Sequence, residues 1–131
     1  MNQLREEPHR ALKRLLANGP LTAVPKRPSD QRLLTTLAAA QFEPRKAYRE
    51  SEVNETLKAW IDTFCEPDGI DHVTLRRLLV DARLLSRTTS GSTYRVNREK
   101  LGKAAITTLE PAKVLAEIRS ERESRKREHA T

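Results

Sequence analysis

Residues 71–97 read DHVTLRRLLVDARLLSRTTSGSTYRVN, and they decide the fold, because a short basic helix runs directly into a basic β-hairpin. The helix is predicted over 71–82. Asp71 can accept bonds from the free N–H groups of the first turn and so acts as its N-cap. Leu75, Leu78, Leu79 and Ala82 recur at helical spacing and make one apolar face. Arg76, Arg77 and Val73 take the opposite side, with Thr74 and Asp81 toward its edge. Apart from the acid, these are residue types that clamp or read nucleic acid.

The hairpin follows from turn chemistry. Ser90-Gly91 supplies the backbone freedom of a two-residue turn, and β-formers flank it. Counting outward pairs Thr89 with Ser92, Arg87 with Tyr94, and Leu85 with Val96. Leu85, Val96 and the Tyr94 ring then face the domain, while Ser86, Thr88, Thr93 and Arg95 face outward. Arg87 ends the inner face, where its stem can pack on Tyr94 and its guanidinium can reach solvent. A helix followed by two strands around a tight turn is the order of a winged helix. The predicted fold is mainly α with a small β-hairpin, a winged helix-turn-helix with added N- and C-terminal helices.

The remaining elements fit around that unit. At 131 residues the chain has room for one domain of ordinary size with extensions. Its predicted parts are an N-terminal helix and connection over 1–28, the winged-helix domain over 29–98, and a C-terminal helix with a charged tail over 99–131. Pro8 opens a first helix that carries Leu12, Leu15 and Leu16 and stops at Gly19-Pro20. A proline-rich connection holding Lys26 and Arg27 leads to a helix over 30–42, capped by Ser29 or Asp30, with Leu33, Leu34, Leu37 and Ala38 inward. Residues 45–48 are short enough to be a single extended strand or bridge against the hairpin. The strongest helical periodicity lies over 50–64, in Val53, Leu57, Trp60, Ile61 and Phe64. Residues 101–109 are weakly apolar. Glu110-Pro111 starts a last helix, whose final large apolar residues are Val114, Leu115 and Ile118. Beyond Arg119 nothing is left to bury, which leaves either a solvated helix with pairs such as Glu121 with Arg125, or a disordered tail.

Charge favours an anionic partner. The net charge is +7 and the pI about 10.0, and the excess is uneven. Residues 71–100 hold seven Lys and Arg against three Asp and Glu, whereas residues 41–70 hold four against seven. The lone Cys65 excludes an intramolecular disulfide and suits a reducing compartment. The start MNQLREEPHR has no apolar core for a signal peptide, and no apolar run is long enough to span a bilayer, so the expected location is cytoplasmic with no membrane partner. Cys65 and His72 are the one nearby pair of soft ligands, with His9 and His129 at opposite ends, so no metal is expected. Glu50 and Glu52 form a carboxylate pair, but acids in a first turn are favourable through the helix dipole alone. The four glycines are scattered and make no phosphate-cradling loop, so neither an enzyme nor a cofactor is expected.

A set of fixed spacings carries a resemblance. Phe42 and Pro44 are followed by Tyr48, Glu50 and Glu52-Val53-Asn54. Then come Leu75-Arg76-Arg77, Leu79-Val80-Asp81, Leu84 or Leu85, Arg87, Gly91 and Tyr94. Upstream, Val24-Pro25-Lys26-Arg27 fits the same pattern. This resembles the bacterial family catalogued as domain of unknown function 2087, over roughly half of the chain. The resemblance implies a winged-helix fold and a role in transcription, with no established chemistry. One departure is Arg49, which stands where the family tends to have Ser or Thr. The capping box with Glu52 is then expected to be lost, with Ser51 capping instead and the helix starting later. The loop before Asp71 is also longer.

The expected function is binding of double-stranded DNA in transcription regulation, with the 71–82 helix in the major groove and the 85–97 wing along the backbone. Arg76, Arg77, Thr74, Val73, Arg95, Arg87, Lys26 and Arg27 are the candidate contacts. For Arg76 and Arg77 the plainer reading is that one pairs with an acid of the preceding helix and the other is solvated. An apolar outer stripe of Val73 and Val80 would instead suit a protein-interaction module. The stripes of the terminal helices, Leu12, Leu15 and Leu16 with Val114, Leu115 and Ile118, are the expected homodimer interface.

Overall fold

The computed structural model describes residues 6–102 and 109–130. Most of the expected 101–109 segment therefore lies outside the described residues. The architecture is mainly helical with one two-stranded antiparallel sheet. In order come α1 (Pro8–Leu15), α2 (Pro28–Ala39), α3 (Glu50–Ile61), α4 (His72–Asp81), β1 (Leu85–Arg87), β2 (Tyr94–Val96), α5 (Arg98–Gly102) and α6 (Pro111–Ala130).

Both α1 and α2 begin at a proline, whose fixed φ suits the first helical turn. That starts α2 earlier than predicted, at Pro28 with Arg27 as the N-cap, so neither Ser29 nor Asp30 caps it. Asp30 is buried in its first turn, where Oδ1 accepts from Arg14 Nη2 at 2.6 Å. Arg14 also pairs with Glu6, holding that carboxyl below its usual pKa. This ties α1 to α2.

The helix α3 begins at Glu50 rather than after Ser51. Glu52 Oε1 still accepts from the Arg49 N–H at 3.0 Å, which preserves the half of the capping box that does not depend on the N-cap side chain. Val53, Leu57, Trp60 and Ile61 are buried, and the Trp60 and Phe64 rings meet edge-on at 4.6 Å between centroids. Ahead of α3, Tyr48 forms an isolated antiparallel bridge to Tyr94. Both backbone bonds of that bridge are 2.8 Å, so the 45–48 segment does pair with the hairpin.

A second bridge joins the proline-rich connection to the loop before α4. Leu21 N donates to the Phe64 carbonyl and Glu66 N to the Leu21 carbonyl, a parallel Leu21–Cys65 pairing. Gly69 is required there, since a Cβ would stand 2.8 Å from the Leu21 oxygen. The loop thus delivers α4 at a fixed place.

The helix α4 ends in a tight reversal. Leu84 N donates to the Leu79 carbonyl at 2.9 Å and Arg83 N to the Val80 carbonyl at 3.0 Å, with Arg83 at φ +62. That is a Schellman motif with an arginine where glycine is favoured. The strand pairs Leu85–Val96 and Arg87–Tyr94 occur as expected, with Ser86 opposite Arg95. The connection differs from the expected two-residue turn. Thr88 and Thr93 are bonded, and the Thr88 carbonyl accepts from Gly91 N at 2.8 Å, so residues 89–92 form a four-residue loop with Gly91 at φ +74. Hydroxyl contacts linking Thr88, Ser90 and Ser92 support it.

The terminal helices correct another expectation. Here α1 packs on α6, and Leu12, Leu16, Val114, Leu115 and Ile118 are all buried within one chain, with Leu15 half-buried. The apolar stripes expected to form a dimer interface therefore cover each other. Polar contacts flank them: Lys13 to Glu121 at 3.0 Å, His9 to Glu117 at 3.2 Å, and Arg122 to the Ala17 carbonyl. Beyond Arg119 the helix continues, exposed, and Glu121 faces Arg125 at 3.9 Å. No described helix is long and apolar enough to cross a membrane.

Candidate functional site

Two buried leucines set the rotation of α4. Leu75 and Leu79 point into the core against α2 and α3, which turns Arg76, Arg77, Val80 and Asp81 toward the hairpin. At its start, Asp71 Oδ2 accepts from both Thr74 N and Thr74 Oγ1 at 3.2 Å, so the N-cap is as predicted. Slight desolvation works to raise the Asp71 pKa, but the bonds from Thr74 outweigh it and hold the carboxyl below its usual range. The Thr74 hydroxyl is thereby engaged locally.

The two central arginines separate into different roles. The Arg76 side chain is only 14% exposed and donates to Asn54 Oδ1 at 2.5 Å. Its Nη2 also stands 3.4 Å from Glu50 Oε1, and that oxygen accepts from the Tyr94 hydroxyl at 3.0 Å. Arg76 is thus pinned to α3. Arg77 is exposed and makes no ion pair among the described residues. Together with Arg87, Asp81 and Tyr94 they line a hollow of about 370 Å³ between α4 and the hairpin.

The expected apolar outer stripe of Val73 and Val80 is only partly exposed. Val80 is half-buried against the core, and Val73 is also half-buried.

Two further hollows continue from the first. One, of about 640 Å³, shares Val80 and Arg87 with it and adds Arg83, Ser86, Thr88 and Asn97. The other, of about 670 Å³, shares Ser86 and Asn97 and adds Arg45, Arg95 and Arg98, with Glu99 as its acid. A basic track therefore runs from α4 across β1 to the groove beside β2. Arg76, Arg77 and Arg87 line its α4 end, and Arg95 lines its far end. Lys26 and Arg27 are exposed at the entry to α2 and line none of these hollows.

Arg45, Arg83 and Arg98 were missed as candidates. The charge count over 71–100 included Arg83 and Arg98, but only the bridge at Tyr48 places Arg45 beside the hairpin. It sits in the acidic part of the sequence, where its own neighbours conceal it.

Chemically the track can hold an extended anion. The Cys65 thiol is buried and its pKa pushed up to about 12, which makes it a poor nucleophile. Among the described residues no cluster of three or more His, Cys, Asp or Glu is placed to hold a metal ion.

A family model described as an uncharacterized protein conserved in bacteria, domain of unknown function 2087, matches residues 20–96. That is more than half of the chain, and it spans α2 through β2. No curated protein and no solved structure matches.

Proposed function

We propose that this chain, which belongs to the uncharacterized bacterial family of domain of unknown function 2087, is a cytoplasmic DNA-binding protein of winged-helix architecture that acts in transcription regulation. In this reading α4 enters the major groove and the hairpin is the wing. The order α2, bridge strand at Tyr48, α3, α4, β1, β2 is the order of a winged helix, and it supports the assignment. The single observation that carries the function is Arg77. It stands exposed on α4 beside Arg87, on the same basic track as Arg95, while Arg76 is held by Glu50 and Asn54. An arginine that the fold does not use, on a helix facing outward next to a hairpin, is placed to meet phosphates or guanine edges.

Selection of bound sequences from a random duplex pool tests the reading. Wild type is expected to enrich a motif, and an Arg77→Ala, Arg87→Ala variant to enrich it weakly or not at all. If wild type enriches nothing and shows no salt-sensitive duplex binding, DNA binding is wrong.

A protein-interaction module is the second reading, favoured by Asp81. Its carboxylate lies in the same hollow as Arg77 and Arg87, and a hollow of both signs suits a mixed-charge peptide better than a phosphate row. Salt separates the two, since each phosphate contact contributes a slope of about −0.9 in log K against log salt.

A further inference from the structure

We infer that Arg45, Arg95 and Arg98 form a phosphate-gripping cleft beside β2, and that its occupant is the sugar-phosphate backbone of double-stranded DNA. This rests on the DNA-binding reading and extends it to a surface outside both the helix and the hairpin tip.

Three separate segments bring these arginines to one cleft. Arg45 comes from the loop ahead of the Tyr48 bridge, Arg95 from the outward face of β2, and Arg98 from the first residue of α5. Ser86 and Asn97 line the same cleft of about 670 Å³. All three arginines are exposed, and none forms an ion pair among the described residues. Elsewhere in this fold, arginines that serve structure do meet acids: Arg14 holds Asp30 and Glu6, and Arg76 holds Glu50. The cleft arginines have no such partner among the described residues.

Three like charges around one cleft, against the single carboxylate of Glu99, are complementary to an anion with several oxygens. Guanidinium forks match phosphate in this way. The shape of the surroundings selects a polymer over a free phosphate. Val80 and Arg87 link the α4 hollow to the middle one, and Ser86 and Asn97 link the middle one to the cleft. A duplex carries a phosphate about every 3.4 Å of axis on each strand, so one strand that leaves α4 along this track presents phosphates to the cleft.

An Arg45→Gln, Arg98→Gln variant tests the inference, because neither side chain has a structural bond to lose among the described residues. Binding to a duplex long enough to cover the track is followed by fluorescence anisotropy over a salt series. The expected result is an unchanged melting temperature with a salt slope shallower than wild type by about 1.8, two contacts of about 0.9 each. A Lys113→Gln, Arg119→Gln variant removes the same charge from α6, which lines none of the three hollows, and should keep the wild-type slope. If the Arg45, Arg98 variant also keeps it, the cleft is not a phosphate site although DNA binding stands. If wild type binds single strands and no duplex, the assigned occupant is wrong. Absence of any salt-sensitive binding by wild type overturns the DNA reading and the cleft together.

Discussion

The Tyr94 hydroxyl donates to Glu50 at 3.0 Å, through the same carboxylate oxygen that faces the Arg76 guanidinium at 3.4 Å. Hairpin, α3 and α4 thus meet at one carboxylate. That junction joins α4 to the hairpin beside the direct reversal at Arg83.

Arg76→Ala should therefore act on stability. It removes a charge-assisted bond to Asn54 and leaves Glu50 with Tyr94 alone, a loss of about 2 kcal/mol. Arg77→Ala, on an exposed position without such bonds, should change stability by less than about 0.5 kcal/mol. Urea melts of the two variants decide it. Equal midpoints would show that the Arg76 contacts do not hold the elements together.

The N-cap of α4 predicts a pH dependence. Asp71 accepts two bonds from Thr74, and its folded pKa is held below the ordinary value. A depressed carboxylate contributes stability that is fully present above the unfolded pKa and is lost as pH falls through the folded one. Asp71→Ala should cost about 1 kcal/mol at neutral pH. The difference from wild type should vanish in acid, once Asp71 is protonated. A gap that stays constant down to acid pH would mean the cap does not depend on charge.

Much of this arrangement was readable because local chemistry and tertiary position agreed. Leu75 and Leu79 fixed the inward face of α4, and Leu85, Tyr94 and Val96 fixed the register of the hairpin through their period of two. The turn was misread because Ser90-Gly91 is equally compatible with a two-residue turn and with a four-residue loop whose glycine has positive φ. The plainer of the two roles offered for Arg76 describes its position, but which arginine would meet the acid depended on the crossing of α3 and α4. That crossing is a tertiary fact. Arg45 was illegible for the same reason, since its neighbour in space is a hairpin some fifty residues away, roughly the span from Tyr48 to Tyr94. Asp30 looked like a cap because capping is the commonest local use of an aspartate before a helix, and only α1 supplies Arg14.

Packing of α1 on α6 predicts behaviour opposite to that of a dimer built from those helices. Leu115→Ala and Leu12→Ala should each cost about 2–5 kcal/mol, as for buried leucines elsewhere. The urea midpoint of wild type should not move with protein concentration, because the stripes cover each other in one chain. A midpoint that rises with concentration would place a second copy in this interface. Acid should also loosen the helix pair. The bond from Lys13 holds the Glu121 carboxyl below its usual range, and that contribution disappears as pH falls through the lowered pKa.

Arg83 should respond to substitution in two opposite directions. It closes the Schellman reversal after α4 at φ +62, a conformation that costs a non-glycine residue about 1 kcal/mol. Its carbonyl accepts from Asn97 Nδ2 at 3.1 Å, a bond that any residue at this position can keep. Arg83→Gly should therefore raise stability by up to about 1 kcal/mol, partly offset by the greater freedom of glycine in the unfolded chain. The same change removes a guanidinium from the middle of the basic track. Duplex affinity should then fall and the salt slope become shallower by about 0.9, the contribution of one phosphate contact. Stability comes from urea melts and affinity from a salt series, and the two must move apart. A variant that gains stability and binds DNA like wild type would show that Arg83 contributes nothing to the track, and that its side chain is tolerated in the reversal for some other reason.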